Sequence, residues 1–217
     1  HVKIKWVESE GINNENAEEI FGDVDGIIVP GGFGGRGIEG MVATARYARE
    51  HDIPYFGICL GMQIAVIEYA RNVLGYADAN SREFDEESTH RVIDFMEDQN
   101  EDMDKGGTMR LGAYPCIIRE GSLLEKCYGE KEISERHRHR YEFNNAYRQQ
   151  CMDAGLLIDG TSPDGLLVEA VENRDLAFFL GVQYHPEFKS RPNRAHPIFR
   201  EFIRAALKKR MEKEAQK

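Results

Sequence analysis

The feature that most constrains the fold is a cysteine held between two glycines where a strand pattern changes into a helix pattern. The apolar stretch 53–58 leads into Cys59, the stretch 60–71 has helical periodicity, and Gly57 and Gly61 stand two residues to either side. A turn this sharp strains its central residue and tolerates only small neighbours, and it presents that residue at the carboxyl end of the strand. The pattern therefore predicts a strand–turn–helix unit of a parallel sheet and makes Cys59 a candidate nucleophile.

The four cysteines lack the spacing of a disulfide framework and are expected to be free thiols in a reducing compartment. Cys116, Cys127 and Cys151 have no glycine on both sides and are interpreted as core residues. A buried structural role is also the alternative for Cys59. If Cys59 is a nucleophile, its position above a helix N-terminus predicts a lowered thiol pKa, because the partial positive charge there favours the thiolate.

The same order of strand, turn and helix recurs along the chain and indicates an α/β fold. Strands are predicted at 1–8, 24–29, 53–58, 110–118, 165–171 and 177–184, and helices at 15–21, 38–50, 60–71 and 197–211. This alternation is typical of an open, mostly parallel sheet with helices on both faces. A length of 217 residues without a linker or repeat predicts a single domain, 1–217. Because no strand–helix unit precedes the opening strand, we expect the chain to be part of a larger polypeptide.

The best candidate for a general base is His185, in the segment Gln183-Tyr184-His185-Pro186-Glu187. Among the seven histidines, only His185 has an acidic residue two positions later. Pro186 favours an extended backbone at His185, so the side chains of His185 and Glu187 are expected on the same side. Glu187 can then bind one ring nitrogen and leave the other for a thiol. The alternative is a surface His-Pro turn, but the position after a strand favours an active site.

A glycine-rich stretch, Gly31-Gly32-Phe33-Gly34, follows the strand at 24–29 and is a candidate oxyanion loop. A tetrahedral intermediate of acyl transfer needs two backbone donors. The amide of Leu60 can supply one donor, and the amide of Gly32 can supply the other if the loop lies beside Cys59. The rival interpretation is a dinucleotide-binding loop, because 32–37 matches G-x-G-x-x-G. That match lacks a suitable acidic residue at the end of the next strand.

Composition and charge disfavour several other functions. The chain has 28 basic and 38 acidic side chains, and its net charge of −10 disfavours nucleic-acid binding. The apolar runs are too short to span a bilayer and the first residues lack a signal pattern, so no membrane association and a cytoplasmic location are expected. His137 and His139 lie in the basic segment 136–140, where a solvated charged face is expected. No metal site is predicted, because no cysteine or carboxylate has the spacing to complete one with these histidines.

In this order, the glycine loop, the cysteine turn and the His-x-Glu segment resemble the class I, triad-type glutamine amidotransferases. Three longer motifs are similar to the CTP synthase branch of these enzymes: Pro30-Gly31-Gly32-Phe33-Gly34-Gly35-Arg36-Gly37-Ile38-Glu39-Gly40, Gly106-Gly107-Thr108-Met109-Arg110-Leu111-Gly112 and Glu135-Arg136-His137-Arg138-His139-Arg140-Tyr141-Glu142. The resemblance covers residues from about 24 to 202. It implies a flavodoxin-like glutaminase domain whose N-terminal synthase domain is absent from this chain.

The resemblance also implies the roles of individual residues. Cys59, His185 and Glu187 would form a triad that hydrolyses L-glutamine through a thioester. The residues expected to bind glutamine are Gly32, Leu60, Gly61, Met62, Gln63, Glu83 and Arg140. Gly32 and Leu60 would supply the oxyanion donors, while Glu83 and Arg140 suit a zwitterionic substrate. Glu83 alone would be interpreted as a solvated acid. Arg36 and Arg110 are expected in the region of an activator.

The family implies partners beyond glutamine. Its ammonia passes to the synthase domain of the same polypeptide, which uses ATP and magnesium to aminate UTP to CTP, and GTP activates glutamine hydrolysis. The expectations for this chain are therefore no cofactor of its own, a monomer for the isolated domain and a homotetramer for the full-length protein. Two alternatives are a cysteine peptidase or γ-glutamyl hydrolase on the same scaffold, and a non-catalytic nucleotide-binding module. Glu83 and Arg140 speak against the hydrolase, because they suit a small free amino acid.

Overall fold

The computed structural model describes residues 1–95 and 109–215, which form an α/β structure. The α-helices described are α1 (Ala17–Phe21), α2 (Ile38–Glu50), α3 (Leu60–Asn72), α4 (Leu123–Tyr128), α5 (Arg148–Asp153) and α6 (Pro197–Ala215). The strands are β1 (Ile27–Val29), β2 (Tyr55–Ile58), β3 (Asn80–Ser81), β4 (Arg91–Phe95), β5 (Arg110–Ile118), β6 (Glu132–His139), β7 (Tyr141–Phe143), β8 (Leu156–Thr161), β9 (Val168–Asn173) and β10 (Phe179–Val182). No helix in these ranges is both long and apolar enough to cross a membrane.

The main sheet contains seven strands in the order β1-β2-β10-β9-β8-β5-β6. Its strands β1, β2 and β10 pair in parallel, whereas the other four neighbouring pairs are antiparallel. Five of the seven strands nevertheless point the same way, because only β9 and β5 run in the opposite direction. The expected α/β fold with a mostly parallel open sheet is confirmed, and its parallel part leads to Cys59 and His185. A smaller sheet has the order β3-β4-β7.

Helices cover both faces of the main sheet, as expected. One hydrophobic cluster joins the sheet to α1, α2 and α3, and a second joins it to α4 and α6. The side chains of β2 alternate between them, since Tyr55 belongs to the first cluster and Phe56 and Ile58 belong to the second. Both faces of this strand are therefore buried, which explains its continuous apolar pattern.

Helix α3 packs closely against the sheet because glycines face it. A Cβ atom on Gly57 would lie 2.5 Å from the carbonyl carbon of Gly61, and one on Gly181 would lie 3.0 Å from the Cβ atom of Met62. A Cβ atom on Gly61 would overlap the carbonyl oxygen of Val29. The first turn of α3 is thus fixed against the carboxyl ends of β1, β2 and β10, and this packing sets the position of Cys59.

The opening segment does not form the half-buried strand that its alternation predicts. Residues 1–8 have no regular secondary structure, and Trp6 is 88% exposed. Lys5 holds the segment against α1 through an ion pair with Asp23 at 2.8 Å and a hydrogen bond to the carbonyl of Ile20. Alternation alone cannot make a strand, because a strand also needs a neighbouring backbone to pair with. Within the described ranges, no strand pairs with this segment.

Candidate active site

Cys59 occupies the turn between β2 and α3 in a strained backbone conformation. Its φ is 52° and its ψ is −102°, and among the described non-glycine residues only Asp52 shares a positive φ. Such a conformation costs about 1–3 kcal/mol and persists only when the surroundings impose it. The N–H of Cys59 donates to the carbonyl of Val182 at 2.7 Å, and its carbonyl accepts from the N–H of Met62 at 3.1 Å. Strand β10 and helix α3 therefore impose the geometry that the flanking glycines predict.

His185 follows β10 and is oriented by Glu187. Its Nδ1 atom lies 2.6 Å from Oε1 of Glu187, and its ring stacks on Phe188 with the centroids 4.9 Å apart. The Nε2 atom is buried and has no hydrogen-bond partner among the described residues. Because Nδ1 faces a carboxylate, the neutral ring carries its proton there and leaves Nε2 as an acceptor.

Gly31 lies where the thiol and the imidazole approach each other. A Cβ atom on Gly31 would stand 2.8 Å from Cε1 of His185 and 3.6 Å from the Cβ atom of Cys59. The two side chains therefore converge on one point, although they come from distant parts of the sequence. Together with Glu187, they supply a thiol, a base and a carboxylate that orients the base, which are the groups of a triad.

The glycine loop lies beside the cysteine turn. A Cβ atom on Gly32 would stand 2.9 Å from Cδ2 of Leu60. The backbone N–H of Leu60 lies beside the thiol of Cys59 and acts to lower its pKa. This placement meets the condition set for an oxyanion loop and favours that interpretation over a dinucleotide-binding loop.

Burial, rather than the helix N-terminus, dominates the protonation of Cys59. The residue is 4% exposed, and burial raises the pKa of its thiol to about 12. The N–H of Leu60 acts to lower this pKa, whereas nearby carboxylates, including that of Glu142, raise it further. The expectation of a lowered pKa is therefore wrong for the free chain, because lost hydration outweighs the helix terminus. The resting thiol is neutral, and its proton has to move to His185 to produce the nucleophile.

Glu83 and Arg140 lie near the same tyrosine. The carboxylate of Glu83 accepts a hydrogen bond of 2.9 Å from the N–H of Gly34, which ties the glycine loop to the segment after β3. Arg140 is half-buried between β6 and β7. Burial raises the pKa of Tyr141, with Glu83 acting in the same direction and Arg140 in the opposite direction. Glu83 and Arg140 therefore both act electrostatically on Tyr141, and Glu83 also binds the glycine loop.

The residues after Leu60 differ in what they can offer a substrate. Met62 is fully buried, so only its backbone is available. The carbonyl of Gly61 accepts a hydrogen bond of 2.8 Å from the hydroxyl of Tyr55. Gln63 is 4% exposed, and its amide donates to Gln183, which in turn donates to the sulfur of Cys59. Among these three residues, Gln63 alone directs a polar side chain towards the thiol.

Arg36 and Arg110 occupy very different settings. Arg36 is exposed and donates two hydrogen bonds to Glu10, at 2.6 and 2.8 Å. Arg110 begins β5, is 6% exposed and binds Glu169 at 2.6 Å. The guanidinium of Arg110 is enclosed by the protein, whereas that of Arg36 is open to solvent. The preceding motif residues 106–108 lie outside the described residues.

A buried polar cluster lies next to the site and was not revealed by any sequence pattern. Its members are Arg110, Glu142, Glu169, His137 and His139. The two imidazoles hydrogen-bond each other at 2.8 Å. The expectation of a solvated face is wrong for both histidines, because alternate residues of β6 point inward. Within the described ranges, no group of His, Cys, Asp and Glu side chains is arranged to hold a metal ion.

Glu142 is expected to make stability depend on pH. Its closest approach to Arg110 is 3.4 Å, whereas Glu169 binds the same guanidinium at 2.6 Å. Burial therefore raises the pKa of Glu142 from 4.5 to about 8. The folded state therefore binds the proton of the Glu142 carboxyl group more tightly than the unfolded chain does. The stabilisation of the fold by this proton is complete below pH 4.5 and is lost as the pH rises through about 8.

The measurement is urea denaturation of the wild type and the Glu142→Gln variant across that window. The difference in unfolding free energy, wild type minus variant, should fall by up to about 1.4 kcal/mol per pH unit. Because both proteins keep His137 and His139, the difference isolates the carboxyl group. A difference that does not change with pH would show that Glu142 is ionised throughout.

Two residues of this constellation were not assigned a role from the sequence. Gly31 separates the imidazole from the thiol, and Gln183 donates to the sulfur of Cys59 at 3.7 Å. One signal was available for Gln183, because it stands two positions before His185 at the end of a strand, where alternate side chains share a side. Its contact with Cys59 could not be read from the sequence.

Comparisons with known proteins agree on one family. A family model described as glutamine amidotransferase class-I matches residues 1–205. The CTP synthase of Clostridium kluyveri is 56% identical over 207 residues, and that of Staphylococcus saprophyticus is 55% identical over 206 residues. Both alignments cover 95% of this chain and 38% of the relative. The chain therefore spans well under half the length of these curated relatives.

One solved structure matches most of this chain over most of its own length. It is the glutaminase domain of Trypanosoma brucei CTPS with bound acivicin, which is 46% identical to this chain. The TM-score is 0.90, and the match covers 96% of this chain and 81% of the other.

Proposed function

The chain belongs to the class-I glutamine amidotransferases, in the branch of the CTP synthase glutaminase domains, and from this premise we propose that it hydrolyses L-glutamine to glutamate and ammonia. The observation that carries the proposal is the convergence of the Cys59 and His185 side chains on one point beside Gly31. A merely structural cysteine needs neither a strained backbone nor, beside it, a buried imidazole nitrogen that has no partner among the described residues.

The arrangement supports acyl transfer in two steps. Sulfur of Cys59 attacks the carboxamide carbon of glutamine while the thiol proton moves to Nε2 of His185. The negative charge on the tetrahedral oxygen is stabilised by the backbone amides of Leu60 and Gly32. As the carbon–nitrogen bond breaks, His185 returns the proton to the departing nitrogen and ammonia leaves. Water, deprotonated by His185, then attacks the thioester, and glutamate and the thiol are released.

Glu187 has a positioning role in this proposal. Its hydrogen bond of 2.6 Å holds the ring with Nε2 towards the thiol and stabilises the imidazolium that forms. This help matters because burial raises the pKa of Cys59 to about 12 and disfavours a free thiolate. The charge is formed only as a thiolate–imidazolium pair beside a carboxylate, where each ion has an opposite partner.

The surroundings of the thiol suit a free amino acid. Glu83 would pair with the α-ammonium group and Arg140 with the α-carboxylate, while Gln63 and the backbone of Gly61 and Met62 would line the side chain. The two charged residues are supported by the hydrogen bond from Gly34 to Glu83 and by the electrostatic effect of both residues on Tyr141. This arrangement does not favour a peptidase, because an extended peptide lacks both charges at that distance from the scissile bond.

We extend the proposal to the whole polypeptide. Residues 1–217 form one glutaminase domain, and a synthase domain N-terminal to it accepts the ammonia and uses ATP and magnesium to convert UTP to CTP in pyrimidine biosynthesis. The support is the likeness to proteins named CTP synthase, of which this chain matches 38%. The proposal includes activation by GTP, a homotetramer for the full-length protein, a monomer for the isolated domain and a cytoplasmic location. Of the two proposed activator residues, only Arg36 lies at the surface.

The proposed function is tested by incubating the chain with L-glutamine and measuring glutamate and ammonia. A chloroketone analogue of glutamine should label the peptide that contains Cys59, and free glutamine should protect it. Equal turnover of γ-glutamyl peptides, without protection by free glutamine, would favour the hydrolase alternative. Nucleotide binding by a chain that neither releases ammonia nor reacts with the chloroketone would overturn the assignment as an enzyme.

A further inference from the structure

A row of hydrogen bonds leads from a backbone carbonyl to the thiol. Nε2 of Gln63 lies 3.2 Å from the carbonyl oxygen of Tyr141 and 3.2 Å from Oε1 of Gln183. Nε2 of Gln183 in turn lies 3.7 Å from Sγ of Cys59. Gln63 is 4% exposed and Gln183 is fully buried. These amides therefore depend on one another for their hydrogen bonds.

The direction of each hydrogen bond in this row is set by the carbonyl of Tyr141 at its end. The carbonyl of Tyr141 can only accept, so Gln63 has to turn its NH₂ group towards it. The second hydrogen of that group points at Gln183, which must present its oxygen there. The NH₂ group of Gln183 is then left to face the sulfur of Cys59. An assignment that is ambiguous for an isolated amide is thus set here by the backbone.

The side-chain amide of Gln183 is therefore a hydrogen-bond donor to the sulfur of Cys59. The backbone N–H of Leu60 also acts to lower the pKa of this thiol. Hydrogen bonds donated to sulfur stabilise the thiolate more than the neutral thiol. Nε2 of His185 is buried and has no hydrogen-bond partner among the described residues, so it is available to receive the thiol proton.

We propose that Gln183, held in orientation by Gln63, is a further catalytic residue that donates to Sγ of Cys59 and favours the thiolate. The inference rests on the proposed function, because it assigns a role within the same hydrolysis. A donor is needed here because the environment of the thiol disfavours the thiolate. The thiol is buried among carboxylates that oppose a negative charge on sulfur, and the sequence supplies no cation in the turn itself.

The test compares two substitutions that remove the donor in different ways. Gln183→Glu keeps the shape and an oxygen for Gln63, whereas Gln183→Met keeps the length and carries no charge. Alkylation of Cys59 by iodoacetamide is followed over a range of pH values by mass spectrometry of the peptide that contains it. Each variant should react about tenfold more slowly at a given pH, and its kcat for glutamine should fall by about the same factor.

Two controls distinguish a hydrogen-bond donor at position 183 from a side chain that acts only as a spacer by filling the space beside Cys59. Gln149→Glu makes the same chemical change on an exposed residue of α5 that bonds Asp153, and it should leave both rates unchanged. Circular dichroism and thermal unfolding establish that each variant is folded. If Glu at position 183 prevents folding, the Met variant decides, because a spacer of equal length would keep the wild-type alkylation rate.

The outcomes also distinguish this inference from the proposed function. Wild-type alkylation rates in a folded Gln183→Met variant would overturn the role of Gln183 while leaving glutamine hydrolysis intact. A wild-type chain that forms no glutamate and is not labelled by the chloroketone would instead overturn the proposed function. Reduced alkylation with an unchanged dependence of the rate on pH would also contradict the donor role, because it would indicate altered access to the sulfur.

Discussion

Replacing Cys59 by alanine is expected to abolish ammonia release from glutamine, lowering kcat by a factor on the order of 10⁴ or more. Without the sulfur no thioester can form, and His185 and the backbone donors have no nucleophile to assist. The fold should survive, because alanine also fits the turn and the hydrogen bond from the N–H at this position to Val182 does not involve the side chain. Coupled detection of glutamate in a steady-state assay measures the loss.

The matched control is Cys151→Ala. Cys151 is also a buried free cysteine, but it lies in α5 away from the glycine loop. Its replacement should leave kcat within about twofold of the wild type and lower stability only modestly, because a small apolar contact is lost. Substantial hydrolysis by a folded Cys59→Ala variant would contradict covalent catalysis. Equal losses in both variants would indicate that the cysteines act through stability alone.

The second large effect is expected from a single methyl group at Gly31. In the Gly31→Ala variant the new Cβ atom would stand 2.8 Å from Cε1 of His185, a separation that requires the ring to move. The ring is held by Glu187 and stacked on Phe188, so it can move only by giving up its alignment with the thiol. A displacement of about 1 Å at a reacting group costs about 10²-fold in rate. We expect kcat to fall by about that factor.

Gly35→Ala provides the comparison within the same loop. A Cβ atom on Gly35 would meet no atom of the described residues within 4 Å, and the φ of Gly35 is not positive. This variant should therefore retain wild-type kcat and KM. Thermal unfolding should show that both proteins remain folded, so that the contrast concerns the position of the base. A Gly31→Ala variant with full activity would mean that His185 does not act from the observed position.

The sequence predicted well where one local pattern was sufficient. Glycines on both sides of Cys59 specify the sharp turn, and the strained φ of 52° agrees with that expectation. The helix at Ile38–Glu50 and the strand at Arg110–Ile118 have the predicted bounds. In each case the information lies within about a dozen neighbouring residues, where backbone sterics and burial periodicity act.

The sequence failed where a partner from elsewhere in the chain decides the outcome. The opening segment alternates as a strand should, yet Trp6 is exposed because no described strand pairs with it. His137 and His139 looked like members of a charged surface, but β6 turns them inward to the cluster around Arg110. The pKa of Cys59 was misjudged for the same reason, since a local pattern does not show how completely a thiol is desolvated.

The sequence by itself determined the fold class, the family and the identity of the three triad candidates, because these depend on residue types at short fixed spacings. Only the tertiary structure decided that the side chains of Cys59 and His185 both lie against Gly31 and that Gln183 donates to the sulfur. The reason is geometric. Parallel pairing of β2 with β10 brings together residues that are far apart in the chain, and a hydrogen bond or a steric contact depends on distances of a few ångströms that no linear pattern encodes.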